Sequence, residues 1–323
     1  MTMKRGMMRK LVLGACLLPV LLTTPSPGVL GANEGIWRGF KIVTVVKQGT
    51  SSDGETMIDR AQWTEPTNAL PATAATAAGD GVIRVGVIDS GISAAAGLPV
   101  TAGRNYLTDE SHLVDHTGHG TAVASIVAAA APQAELVSLK IAAKGALTTP
   151  EVAATAIRGA VDEFACDILL MAFGQSDSGV LRQAVDYAAG KGVILIAAVG
   201  NEGQTYRRSR VYYPAGYGQV IGIGATDVSG EVAPFSQRAG VSFVSCGERL
   251  PALTVDGDLQ EVTGTSFAAA AVAGLAARLQ LEDRELCLSY LHSVVADRGA
   301  VGYDLEYGFG LIEIKGEAAC EEE

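Results

Sequence analysis

From residue 81 onward, short apolar runs alternate with longer segments of small and mixed residues. Val82 to Ile88 is short, mostly apolar and rich in β-branched side chains, the pattern of a strand buried on both faces. Leu136 to Ile141, Ile168 to Phe173, Val193 to Val199 and Val220 to Gly224 repeat that pattern. Helical stretches lie between them. Gly118 to Ala130 is a run of small residues, and Gly179 to Ala189 is a second helix. Thr149-Pro150-Glu151 supplies an N-cap, a first-turn proline and an acidic first turn, and opens a helix to about Phe164. Leu253 to Val262 reads as a hairpin turning at Asp256-Gly257, and residues 283–296 read as a helix. After Gly264-Thr265-Ser266-Phe267-Ala268, a run dominated by Ala, Val and Leu continues to about Leu281. A helix apolar on every side is a buried one. The alternation predicts an α/β fold: a mainly parallel β-sheet flanked by helices on both faces.

The first 79 residues look different. Lys4, Arg5, Arg9 and Lys10 precede an apolar run from Leu11 to Leu22, and breakers follow from Thr23 to Pro27. That order is a signal peptide, with cleavage expected after Ala32, and the apolar run is short for a membrane span. Leu13-Gly14-Ala15-Cys16 also resembles a lipobox, which would place a lipid anchor at Cys16. Residues 33–79 read as an N-terminal extension or short pro-segment, with a Thr-, Ala- and Pro-rich linker over 64–79. The chain therefore divides into a signal at 1–32, the extension at 33–79, a main domain at 80–316 and an acidic tail at 317–323. Hydrophobic residues make up 48% of the 323 and charged residues 18%, which suits a globular core. A net charge of -11 argues against the clustered Lys and Arg that phosphate binding needs, so no nucleic-acid partner is expected. Export permits disulfides among Cys166, Cys246, Cys287 and Cys320, in any of three pairings; Cys287 with Cys320 would tie down the tail.

In open α/β sheets, ligands bind beyond the carboxyl ends of the strands. Three chemistry-bearing stretches fall there: Asp89 after the first strand, Ala172-Phe173-Gly174, and Asn201 within Val199-Gly200-Asn201-Glu202-Gly203. Each has an ordinary reading. Asp89 caps a turn, Asn201 suits a loop, and Ser266 caps its helix. Each also has a chemical one. A carboxylate at Asp89 can orient a histidine, His119 is one of only four histidines available as a general base, and the Asn201 amide can donate to an oxyanion. Ser266 then sits as a nucleophile where a helix N-terminus favours negative charge. A zinc reading of Asp109, His112, Asp115, His116 and His119 lacks the His-Glu-x-x-His spacing, and no metal is expected. A nucleotide-binding reading of Gly222 to Ala225 lacks the Gly-x-Gly-x-x-Gly fingerprint.

The order Asp, His, Asn, Ser on a parallel sheet resembles the subtilisin-like serine proteases. Val87-Ile88-Asp89-Ser90-Gly91 resembles the family's Asp motif, and Gly118-His119-Gly120-Thr121 its His motif. Ala197-Ala198-Val199-Gly200-Asn201-Glu202-Gly203 resembles its oxyanion segment, and Gly264-Thr265-Ser266-Phe267-Ala268 with Val272-Ala273-Gly274 its Ser motif. The resemblance covers about residues 80–316. It implies the subtilisin-like three-layer fold and a secreted, monomeric serine endopeptidase acting on proteins or peptides. Asp89, His119 and Ser266 would form the catalytic triad, Asn201 would hold the oxyanion, and Ala172, Phe173, Gly174, Gly200, Glu202 and Tyr212 would bind substrate.

The departures carry expectations too. Ala270-Ala271 stand where the family has Pro-His, and Ala122 where His is common. The substitutions around Ser266, and a segment 33–79 shorter than the family's pro-domains, favour the alternative of a catalytically retired binding or scaffolding protein, while the intact Asp, His, Asn and Ser oppose it. The insertion that carries the strong calcium site of secreted subtilisins looks absent after His119, so no cofactor is expected, calcium included. Tyr212 stands where a small residue floors the family's specificity pocket, implying a shallow pocket for small or medium side chains. Glu202 at its rim would instead draw a basic one, and the sequence leaves that choice open.

Overall fold

A computed structural model describes residues 82–107, 112–143, 148–206, 210–281 and 283–312, together with two short strands, β1 (Ile42–Val43) and β2 (Trp63–Thr64), paired antiparallel. The signal peptide, nearly all of the 33–79 extension, the acidic tail, Cys16, Asp109 and Cys320 lie outside the described residues. The main domain follows in chain order as β3 (Arg84–Asp89), β4 (Val100–Asn105), α1 (His119–Ala130), β5 (Glu135–Lys140), α2 (Pro150–Asp162), β6 (Ile168–Met171), α3 (Gly179–Gly190) and β7 (Ile194–Ala198). Then come the short helix α4 (Gly203–Tyr206), β8 (Ile221–Thr226), β9 (Phe243–Cys246), β10 (Leu250–Leu253), β11 (Leu259–Val262), α5 (Thr265–Arg278), α6 (Arg284–Val294), β12 (Val295–Ala296) and β13 (Leu311–Ile312).

Among the described residues, nine strands form one sheet in the order β12-β13-β9-β8-β7-β6-β3-β5-β4. Every neighbouring pair is parallel except β12 with β13. Strand side chains alternate between faces, and the core divides accordingly. Val85, Val87, Leu170, Ile196 and Ile223 face a cluster that includes α1, α5 and part of α6. Ile88, Leu169, Met171, Leu195 and Ala197 face the other, built with α2 and α3. Residues buried on both faces explain why these strands read as continuous apolar runs. The helices follow local chemistry. Thr149 accepts a hydrogen bond from the Val152 N–H with Pro150 in the first turn, and Asp283 caps α6 through the Leu286 N–H. Residues Thr265 to Ala277 of α5 are all buried.

The α/β expectation is met, with differences at the edges. Asp89 is the last residue of β3 rather than the residue after it. The hairpin begins earlier, at Leu250, and its strands pair Leu250 with Val262 and Leu253 with Leu259. The helix expected over 283–296 stops at Val294, and Val295–Ala296 becomes a strand. Strands β4, β9 and β13 were not expected. β4 (VTAGRN) is an edge strand, part-exposed along its length, so it needs no apolar run. Cys166 and Cys287 are buried free thiols, and Cys246 is also free.

Candidate active site

The carboxyl ends of β3, β6 and β7 meet the N-termini of α1 and α5 at one edge of the sheet. Asp89 is almost fully buried there. His119 opens α1, and its Nδ1 lies 2.8 Å from Asp89 Oδ1 and 2.9 Å from Oδ2. Glycine is required at the next position. A Cβ on Gly120 would fall 2.2 Å from the Gly91 carbonyl oxygen and 3.2 Å from Asp89 Cβ, so α1 can start against the β3 loop only without one. Burial alone would lower the His119 pKa; the Asp89 charge and hydrogen bond, with the Asp115 charge, raise it on balance.

A second polar layer lies under this pair. Asp115 is buried and accepts from the Ser90 hydroxyl at 2.9 Å, the Thr117 and Gly118 N–H groups at 2.9 Å, and the Thr121 hydroxyl at 2.8 Å. Burial opposes its charge, but hydrogen bonds from Thr121, Thr117 and Ser90 outweigh it and hold the carboxyl below its usual pKa. Ser90 in turn accepts from the Gly120 N–H at 3.0 Å, and its N–H donates to Asp89 at 2.7 Å. The buried Lys140 ammonium donates to the Ser90 and Val114 carbonyls. Burial lowers its pKa, against the pull of Asp115 and Asp89. Asp115 is thus an internal anchor tying the Asp89 loop to the start of α1.

Ser266 does not cap α5. The N-cap is Gly264, without a side-chain cap, and Ser266 lies in the first turn with its hydroxyl 3.4 Å from the Ala172 carbonyl that follows β6. The Phe267 ring beside it lies 5.5 Å from the His119 ring, which brings the two helix starts together. Asn201 Oδ1 accepts from both the N–H and the hydroxyl of Thr265 at 2.9 Å. That fixes the amide and leaves Nδ2 as its donor end, within 3.1 Å of where a Gly264 Cβ would lie. Thr265 Oγ1 also accepts from the Gly200 N–H at 3.1 Å. The neighbouring N–H groups of Thr265 and Phe267 are taken, by Asn201 and Gly264. No hydrogen bond among the described residues uses the Ser266 N–H.

All four candidates for chemistry therefore share one edge, with Ala172 beside Ser266 and Gly200 beside Thr265. Phe173 and the exposed Gly174 continue from Ala172, and Tyr212 joins Glu202 through its hydroxyl. Sequence reasoning missed Thr265 and Lys140 and considered Asp115 only within the zinc reading that it set aside. A lysine inside the largely apolar run Leu136–Ile141 was the available signal, because a buried ammonium needs acceptors.

The sequence pattern of the subtilase family matches residues 79–295. The chain belongs to the subtilase family. The subtilase is 31% identical to subtilisin DY of Bacillus licheniformis over 249 residues, covering 73% of this chain and 90% of that protein. It is 34% identical to subtilisin BL of Lederbergia lenta, covering 71% and 88% respectively. It also matches the minor extracellular protease Epr of Bacillus subtilis (strain 168) at 31% identity, over 73% of this chain and 38% of that one. Among solved structures, a lanthipeptide protease shares the fold with a TM-score of 0.64 at 21% identity, over 72% of this chain and 85% of that one. The subtilase is a serine endopeptidase, and its substrates are proteins or peptides. No helix among the described residues is long and apolar enough to cross a membrane.

Proposed function

We propose that the subtilase is exported through its basic and apolar N-terminus and cleaves peptide bonds with Asp89, His119 and Ser266. The observation that carries this reading is the two-oxygen grip of Asp89 on His119 Nδ1, at 2.8 and 2.9 Å, opposite the helix that bears Ser266. That grip fixes the tautomer, so Nε2 is the nitrogen left to take a proton. The long contact from Ser266 to Ala172 is weak and is released by rotation about one bond when substrate arrives. His119 then removes the Ser266 hydroxyl proton as Oγ bonds to the substrate carbonyl carbon. Negative charge gathers on the carbonyl oxygen, within reach of Asn201 Nδ2 and the Ser266 N–H at a helix N-terminus. His119 gives its proton to the leaving nitrogen as the C–N bond breaks. Water, deprotonated by the same imidazole, hydrolyses the acyl-enzyme. Ala172 to Gly174 align the substrate backbone as an added strand. In subtilisin itself, loss of the side-chain oxyanion donor costs about 10²–10³-fold in kcat, and Asn201→Ala is expected to cost the same here.

Export is supported by the order of residues 4–27 and by an extracellular relative. A fluorophosphonate probe applied to the secreted protein tests the mechanism. Labelling of the wild type, lost in Ser266→Ala and in His119→Ala, is the expected outcome. A folded, processed wild type that takes no label would remove Ser266 from the role of nucleophile.

A further inference from the structure

Strands β6 and β7 are neighbours, so the segments that leave their carboxyl ends, Ala172–Gly174 and Gly200–Asn201, flank one gap beside Ser266. A peptide lying along 172–174 with its carbonyl at Ser266 and Asn201 directs the side chain on the acyl side of that carbonyl into this gap. Backbone with no side chains borders it on both sides, at Gly174 and Gly200. The gap is nevertheless filled. A Cβ on Gly174 would lie 3.0 Å from Tyr212 Cβ and 3.4 Å from Cδ1, and a Cβ on Gly200 would lie 2.8 Å from Tyr212 Cδ2. The phenol ring spans the distance from one glycine to the other.

Tyr212 is held there from several directions. Gln175 and the adjacent Tyr213 exchange two backbone hydrogen bonds of 2.9 Å, which bolt the Tyr212 segment to the strand end. The Tyr212 hydroxyl donates to Glu202 Oε2. The Arg210 guanidinium lies 5.0 Å from the ring centroid and 3.6 Å from the same Glu202 oxygen. Glu202 therefore already has a phenol and a guanidinium as partners. A substrate cation approaching it meets Arg210, a like charge, in the place it would take.

We propose that Tyr212 closes the acyl-side pocket, so that the subtilase cleaves after small residues (Gly, Ala or Ser) and rejects aromatic, long aliphatic and basic ones. The proposal rests on the endopeptidase reading of Ser266 and Asn201. It also decides between the two roles left open for Glu202, as an anchor for the plug rather than a receptor for substrate lysine or arginine.

The test is kcat/KM on three peptides that differ only at that position, carrying Ala, Phe or Lys, with active sites counted by fluorophosphonate titration. Ala is expected to exceed both others by about tenfold or more, the scale on which a pocket discriminates by fit. In Tyr212→Gly the Phe-to-Ala ratio should rise by about tenfold or more. Tyr212→Ala also removes the ring and should raise the same ratio, which covers the case in which the glycine variant cannot be titrated. A labelled wild type that prefers Phe or Lys overturns the pocket assignment alone, as does a Tyr212→Gly ratio that does not move. A wild type that takes no label overturns the assignment of Ser266 as nucleophile and this proposal with it.

Discussion

His119 is where the largest opposing forces of the site meet. Burial disfavours the imidazolium and is the largest single influence, but the Asp89 charge and hydrogen bond at Nδ1, together with the Asp115 charge, outweigh it. The net effect is upward from the ordinary imidazole value of about 6.5. Only the neutral ring can accept the Ser266 proton. Activity is therefore expected to fall as pH drops through a midpoint above about 6.5. Asp89→Asn should move that midpoint downward and lower kcat by about 10⁴-fold. A kcat/KM profile against pH checks both, and an acid limb that stays in place in the variant would remove Asp89 from this role. The same raised pKa stabilises the fold fully below the unfolded imidazole value, and that contribution fades as pH rises through the folded one. At this scale Asp89, His119, Asn201 and Ser266 were legible because their motifs are local in sequence. Thr265 and Lys140 were not, because their partners lie 64 and 50 positions away and only folding brings them into reach.

Among the elements, α5 was the easiest to foresee and α1 must pack against it. A Cβ on Gly274 would lie 2.5 Å from Ala130 Cβ and 3.2 Å from the Val127 carbonyl oxygen, so the two helices already touch where Gly274 faces α1. Gly274→Leu inserts a side chain into that contact and is expected to cost about 1–3 kcal/mol, the usual price of overpacking. Urea unfolding should give a lower midpoint with an unchanged slope. An unchanged midpoint would mean that the helices separate freely and that the contact contributes nothing. The central strands were legible from their apolar runs, since burial on both faces removes polar residues from them. The edge strand β4 was not, because one neighbour and partial exposure allow Thr101, Arg104 and Asn105 within it.

For the molecule as a whole, short connections limit what it can bind. Only the four residues Ala131 to Ala134 separate α1 from β5. We propose that this connection binds no calcium, because four residues leave no room for the insertion that the resemblance to secreted subtilisins implies; removing divalent cations with EDTA is then expected to leave the rate of fluorophosphonate labelling and the thermal midpoint unchanged. A ligand bound only by the folded state stabilises it by mass action, so a fall in either, restored by calcium, would place an ion in the fold. The sequence by itself determined the alternation of strands and helices, the cap at Thr149, and the motif order from Asp89 to Ser266. These depend on periodicity and on hydrogen bonds across a few residues. Tertiary structure alone decided that β3 lies between β5 and β6, and that Asp115 and Lys140 brace Asp89 from below. It also decided that Tyr212 lies between Gly174 and Gly200 with Glu202 committed to it. Those outcomes depend on which distant backbones approach each other, and no local pattern of residues encodes that distance.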